Sequence, residues 1–227
     1  MDQIIEELTT PNTVSYPKSD RAKEDVAQMV STSDMVVFTD ADADGLASAG
    51  LIDYVFGNTL DVCVIPAGPH RSVLWESTAL KVIADNITHG TTVWILDTCF
   101  NEQDDWIVRK FNLLDKNARV NLLDHHEWTD QDRVKYVQDR CTYFEVDGLT
   151  EDTPVWEING EERDSRCTTQ MVYDHLELGG FEFPEYITDR VKAVTAGDLW
   201  LRDDETDSFE HPDTALVMDS IEHIVDK

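Results

Sequence analysis

Four apolar segments of this chain end in carboxylates or histidines, and that recurrence limits what the chain can fold into. Met35-Val36-Val37-Phe38 runs into Thr39-Asp40-Ala41-Asp42-Ala43-Asp44-Gly45. Thr92 to Leu96 ends in Asp97, and Arg119 to Leu123 ends in Asp124-His125-His126. Val191 to Ala196 runs into Gly197-Asp198. The first three segments, with Leu60 to Ile65, are short and rich in β-formers, which is the pattern of buried strands. Between them, helical spacing covers Leu46–Phe56, Ser72–Ile87 and Gln103–Leu114, with Gly57-Asn58 as a stop for the first. Such β-α alternation predicts an α/β fold with a doubly wound, mostly parallel sheet and flanking helices. In a sheet of that kind the strand ends gather on one edge, where ligands bind.

The aspartates at alternate positions of the first turn cannot be packed together in a dry core without a counter-charge. They face solvent, form an acidic turn capping the following helix, or hold a divalent cation. Recurrence of the pattern favours the cation, because five or more carboxylates and two histidines on one edge suit a two-metal site. Asp97 stands alone on the middle strand and has two oxygens, so it is the candidate bridge between two ions. Asp42 and Asp44 are expected on opposite sides of an extended turn, one for each ion.

Asp-x-Asp-x-Asp-Gly-x-x-Ser-Ala, then Leu-Asp, then Asp-His-His, then Gly-Asp, in that order from Asp40 to Asp198, resembles the DHH phosphoesterase superfamily. The first motif is most similar to the RecJ-like single-strand exonucleases. The resemblance implies Asp42 and Asp97 on one ion, and Asp44, Asp97, His125 and Asp198 on the other. It places His126 against the substrate phosphate, with Asp124 orienting its neighbours. Asp97, His126 and Asp124 are thus the catalytic candidates. Many relatives carry His where this chain has Asp40, but RecJ-like proteins also carry Asp there, so Asp40 is kept as a ligand of the first ion. An all-oxygen set of that kind favours Mn²⁺ or Mg²⁺, two ions in all. His70 and Arg71, after the second strand, either contact a phosphate or cap a loop.

The implied activity is metal-dependent hydrolysis of phosphodiester bonds in single-stranded DNA, RNA or short oligonucleotides. Alternatives are a phosphatase or pyrophosphatase of small phosphates, and a non-catalytic scaffold in a replication or repair assembly. Family enzymes also carry a smaller C-terminal substrate-binding domain, often with a Gly-rich segment, and none is evident after Asp198. A partner protein supplying that half is one explanation.

Composition bears on substrate and setting. Lys and Arg number 18 against 47 Asp and Glu, a formal charge of −29. The acids are spread along the whole chain, as expected of a protein adapted to high salt, where the screening length falls to ~3 Å at 1 M. Such a surface repels a polyanion in dilute salt, so affinity for phosphodiesters must come from bound metals and a few local cations. Cys63, Cys99, Cys141 and Cys167 are widely spaced, as in a protein with reduced thiols and no structural zinc. With no leader pattern and no membrane-length apolar run, the chain is expected to be soluble and cytoplasmic.

Residues 1–33 are expected as an N-terminal helical segment: a short helix near Ile4–Leu8, a Pro-bounded link, then Ser19 capping a helix over Arg21–Val30. The phosphoesterase domain would occupy 34–227. Regularity lapses over 129–164, where Tyr136-Val137, Thr142–Val146 and Val155–Ile158 are strand-like. Turn signals at Asp147-Gly148 and Asn159-Gly160 make this a hairpin-like insertion, at the cleft rim or as a surface excursion. Helices are expected over Thr168–Leu178, Glu185–Ala196 and Asp213–Val225.

Overall fold

Along the first strand Val36 and Phe38 enter one core while Met35 and Val37 enter another, and this alternation sets the architecture. The computed structural model describes residues 20–66, 73–100, 109–146, 156–158, 161–163, 166–199, 201 and 211–218. In chain order the elements are α1 (Asp20–Thr32), β1 (Met35–Thr39), α2 (Ala43–Phe56), β2 (Val62–Pro66), α3 (Val73–Asn86) and β3 (Thr91–Leu96). There follow α4 (Phe111–Asn117), β4 (Ala118–Asp124), α5 (Gln131–Gln138), β5 (Tyr143–Val146), β6 (Trp156–Ile158), β7 (Glu161–Arg163), α6 (Thr168–Leu178) and α7 (Glu185–Asp198).

Five strands form one sheet in the order β2-β1-β3-β4-β5, every neighbouring pair parallel. One face carries Val36, Phe38, Ile65, Val93, Ile95 and Leu122 against α1, α3, α4 and α5, through residues such as Val30, Ile83, Phe111 and Val137. The other carries Val37, Val64, Trp94, Leu96 and Leu123 against α2, α6 and α7, through Ile52, Met171, Leu176 and Val191. Burial on both faces is why the central strands read as unbroken apolar runs. The fold is therefore α/β and doubly wound. Because β1 leads to β2 on one side and β3 lies on the other, the winding reverses between β1 and β3. In open parallel sheets the crevice beyond that pair is where ligands bind.

Several expectations change. The helix expected from Leu46 starts at Ala43, because Asp42 is already its N-cap. The segment at 129–164 is no single insertion. Tyr136-Val137 lies inside α5, whose N-cap Asp130 accepts a hydrogen bond from Arg133 N and whose Val134 and Val137 are buried one helical turn apart. β5 pairs with β4 and completes the main sheet at its edge. Among the described residues, β6 and β7 form a separate antiparallel pair. The helix expected over Glu185–Ala196 is present as α7 and runs on to Asp198, so that carboxylate arrives from a helix end.

The expected helix at Gln103–Leu114 is described only from Phe111, and it continues to Asn117. Of the last expected helix, 214–218 is described and helical, and it packs on α7 where Thr214 Oγ1 donates to Ala193 O at 3.1 Å. The short helix near Ile4, the Ser19 cap, His70, Arg71 and the two Gly-containing turns at 147–148 and 159–160 lie outside the described residues. No helix among the described residues is long and apolar enough to cross a membrane.

Candidate metal centre

The turn after β1 places its aspartates in unlike surroundings. Asp42 is exposed and extended (φ −92°, ψ −173°), and its carboxylate accepts a hydrogen bond from Gly45 N at 2.9 Å, capping α2. Asp44 lies in the first turn of α2 and is 1% exposed. Gly45 allows the helix to start this close to the strand: a Cβ there would stand 2.4 Å from Asp40 O and 2.6 Å from Thr39 Oγ1.

Asp44 reaches across to α6. Its Oδ2 accepts from Thr168 N and its Oδ1 from Thr169 N, both at 2.7 Å, while Thr169 Oγ1 donates to Asp44 O at 2.9 Å. Cys167, at the N-cap of α6, makes no side-chain capping bond. The carboxylate of α2 thus satisfies the first amides of another helix, at the end where the helix dipole favours negative charge. Each carboxylate oxygen retains a lone pair for a further partner.

Asp97, just past β3, has φ 53° and is the non-glycine residue with positive φ among those described. Aspartate tolerates the left-handed region better than most side chains, and strain of this kind concentrates at functional sites. The conformation is held by Asp97 N donating to Leu123 O at 3.0 Å. Asp97 Oδ1 accepts from Thr168 Oγ1 at 3.2 Å and lies 3.3 Å from His125 Nε2. Its Oδ2 is buried with no hydrogen-bond partner. Burial, and then the charges of Asp44, Asp42, Asp124 and Asp198, push the Asp97 carboxyl well above the usual range. An unpaired oxygen on a fully buried carboxyl among other acids is a position where a cation would be favourable.

His125 Nε2 is the point of convergence, 3.3 Å from Asp97 Oδ1, 3.6 Å from Asp198 Oδ2 and 3.8 Å from Asp44 Oδ2. Asp198 Oδ2 is also buried without a hydrogen bond. Burial and the charges of Asp44 and Asp42 raise the Asp198 carboxyl to about 8, with His126 opposing. His126 stands beside His125, ring centres 4.5 Å apart. Its Nδ1 bonds Asp124 Oδ1 at 2.7 Å and lies 3.7 Å from Asp97 Oδ1. Asp124 is fully buried, and its Oδ2 accepts from Trp128 Nε1 at 2.5 Å. The bond to Asp124 raises the His126 imidazole to about 9 against the opposing effect of burial.

Among the described residues, donor atoms gather in two groups, Asp97-His125-His126 and Asp44-Cys167-Asp198, each with its atoms within 4.8 Å of one another. Of the residues singled out in the sequence, the fold brings together Asp44, Asp97, Asp124, His125, His126 and Asp198. Asp42 and Asp40 belong to neither group. The expected extended turn holds for Asp42 alone, since Asp44 is already helical. Asp42 nevertheless acts at a distance, its charge raising both Asp97 and Asp198. Asp40 Oδ1 accepts from Ala41 N at 2.6 Å. Residues not singled out also build the site: Thr168 and Thr169 supply amides and hydroxyls, Trp128 anchors Asp124, and Cys167 adds a thiol. The one trace of them in the sequence is helical patterning beginning at Thr168, since a helix start offers free amides.

No protein-family model matches this chain, and no curated protein matches it. Among solved structures it is similar to an uncharacterised protein from Helicobacter pylori G27, with 17% identity and a TM-score of 0.49. That match covers 83% of this chain and 49% of the other, so the chain spans about half the length of that protein.

Proposed function

We propose that this edge binds divalent cations, Mn²⁺ or Mg²⁺, in a two-ion centre, and that the protein is a phosphoesterase cleaving phosphodiester bonds of single-stranded nucleic acid or short oligonucleotides. The observation carrying the proposal is the approach of Asp44, Asp97 and Asp198 to His125 Nε2 in the β1/β3 crevice, with one Asp97 oxygen buried and unpartnered. Asp97 and His125 would hold one ion, and Asp44 and Asp198 the other, with Asp97 as the candidate bridge. Bound there, such ions polarise a phosphoryl oxygen and make water acidic enough to act as a nucleophile at neutral pH.

The chain's own residues prepare the site for an anionic substrate. The α6 amides hold Asp44 in place. Asp124, itself fixed by Trp128, orients the His126 ring through Nδ1 and keeps it protonated at neutral pH, since its pKa is raised to about 9. That leaves Nε2–H to donate to a phosphoryl oxygen as charge develops there. The choice of nucleic acid as substrate rests on the order of the acidic motifs. With a formal −29, recognition of phosphate would be local to the cations and His126, not a property of the general field.

The test offers purified protein with Mn²⁺ in molar KCl labelled single-stranded DNA, RNA, dinucleotides and pyrophosphate side by side. Cleavage of the oligonucleotides is expected. Hydrolysis of pyrophosphate alone would overturn the substrate assignment, and no hydrolysis of any of them would overturn the enzyme assignment.

A further inference from the structure

Cys167 is fully buried, yet its sulfur lies close to polar ligand atoms. Its Sγ is 3.2 Å from Thr195 Oγ1 and within 4.8 Å of carboxylate oxygens of Asp44 and Asp198. A buried thiol is ordinarily a small apolar filler. Here three features set it apart. It makes no capping bond at the start of α6, because Asp44 takes the α6 amides. One of its carboxylate neighbours, Asp198, keeps a buried oxygen without a hydrogen bond. Across the Thr168 hydroxyl lies Asp97, 1% exposed and with its own Oδ2 unpartnered.

We infer that Cys167 is a sulfur ligand, and that the second ion position is built from Asp44, Cys167 and Asp198. This rests on the reading of the edge as a metal centre and gives its two positions unlike chemistry. Asp97 and His125 offer oxygen and nitrogen, whereas Asp44-Cys167-Asp198 offers oxygen and sulfur. Coordination replaces the S–H bond with an S–metal bond, and the proton passes to the buffer. Thiolate selects softer ions, so this position would prefer Zn²⁺, Co²⁺ or Cd²⁺ to Mg²⁺, while the other accepts Mn²⁺.

Co²⁺ titration of the intact protein tests this, read by uptake and by ultraviolet absorption together. The expected result is Co²⁺ uptake with a sulfur-to-cobalt charge-transfer band that is lost in Cys167→Ser and retained in Cys63→Ala and Cys141→Ala. Cadmium uptake should weaken in Cys167→Ser far more than Mg²⁺ uptake. Co²⁺ uptake by the wild type without the band would overturn the sulfur ligand and leave the metal centre standing. Failure to take up Co²⁺ at all would overturn both. The wild-type spectrum decides the matter even if the serine variant folds poorly.

Discussion

Asp97 concentrates the unusual features of this protein in one side chain: left-handed backbone, complete burial, an unpaired oxygen and four acidic neighbours that raise its pKa. Asp97→Asn keeps the shape and tolerates the same backbone region while removing the charge. The variant should therefore fold at least as well as the wild type without metal, but lose Mn²⁺-dependent turnover to background. Wild-type kcat in Asp97→Asn would refute the bridging role. The same electrostatics give the pH dependence a sign. The folded-state pKa of Asp198 is raised to about 8 and that of His126 to about 9. Between the ordinary carboxylate value of about 4 and 8, the folded protein holds more protons than the unfolded chain, so stability falls as pH rises. His126 acts in the same direction, its contribution being lost as pH climbs through 9. Melting curves in EDTA should show Tm falling from pH 5 to pH 9. Added Mn²⁺, which competes with those protons, should stabilise the protein most at the alkaline end. A Tm in EDTA that climbs over that range would contradict this picture of the cluster.

Helices and strands position the cluster through contacts that are close in space and remote in sequence. α2 can begin beside β1 only because residue 45 lacks a side chain, so Gly45→Ala must displace the turn carrying Asp42 and Asp44. A cost of about 1–3 kcal/mol in urea denaturation is expected, together with weakened Mn²⁺ binding. An unchanged unfolding midpoint would mean that the turn gives way freely. The site's three strands are legible in the sequence because burial on both faces leaves continuous apolar runs, and the exits at Asp40, Asp97 and Asp124 mark their ends sharply. β5 is harder to assign to the sheet because it is a short edge strand with half-buried residues, which resemble a surface hairpin. α5 escapes a reading by pattern because only Val134 and Val137 are buried, too few to establish helical periodicity. Asp198 and the helix that carries it are both legible, but the approach of that helix end to the strand exits depends on how α7 packs against α2 and α6. The role of α6 is invisible in the sequence because Asp44 meets Thr168 and Thr169 across 124 and 125 residues of chain.

Charge dominates at the scale of the whole molecule, a formal −29 set against the phosphodiester substrate proposed for the site. Long-range repulsion of a polyanion weakens as salt shortens the screening length, whereas contacts within the site act over a few ångströms. Activity on single-stranded oligonucleotides should therefore rise from low salt to about 1 M KCl. Basic nucleic-acid-binding proteins show the opposite trend, because salt opposes the release of counterions from phosphate. Self-repulsion of the acidic surface also falls with salt, so a circular-dichroism titration is needed to separate gain of fold from gain of binding. Activity that declines monotonically in a protein folded throughout would point to an overlooked basic groove. Both salt effects on catalysis presuppose that cations occupy the edge beyond β1 and β3. Equilibrium dialysis of the intact protein against Mn²⁺ at pH 8 and constant ionic strength measures that directly. Two ions bound per wild-type chain, and at most one in Asp97→Asn, is the expected result; a wild-type chain that takes up no Mn²⁺ would contradict the metal centre itself.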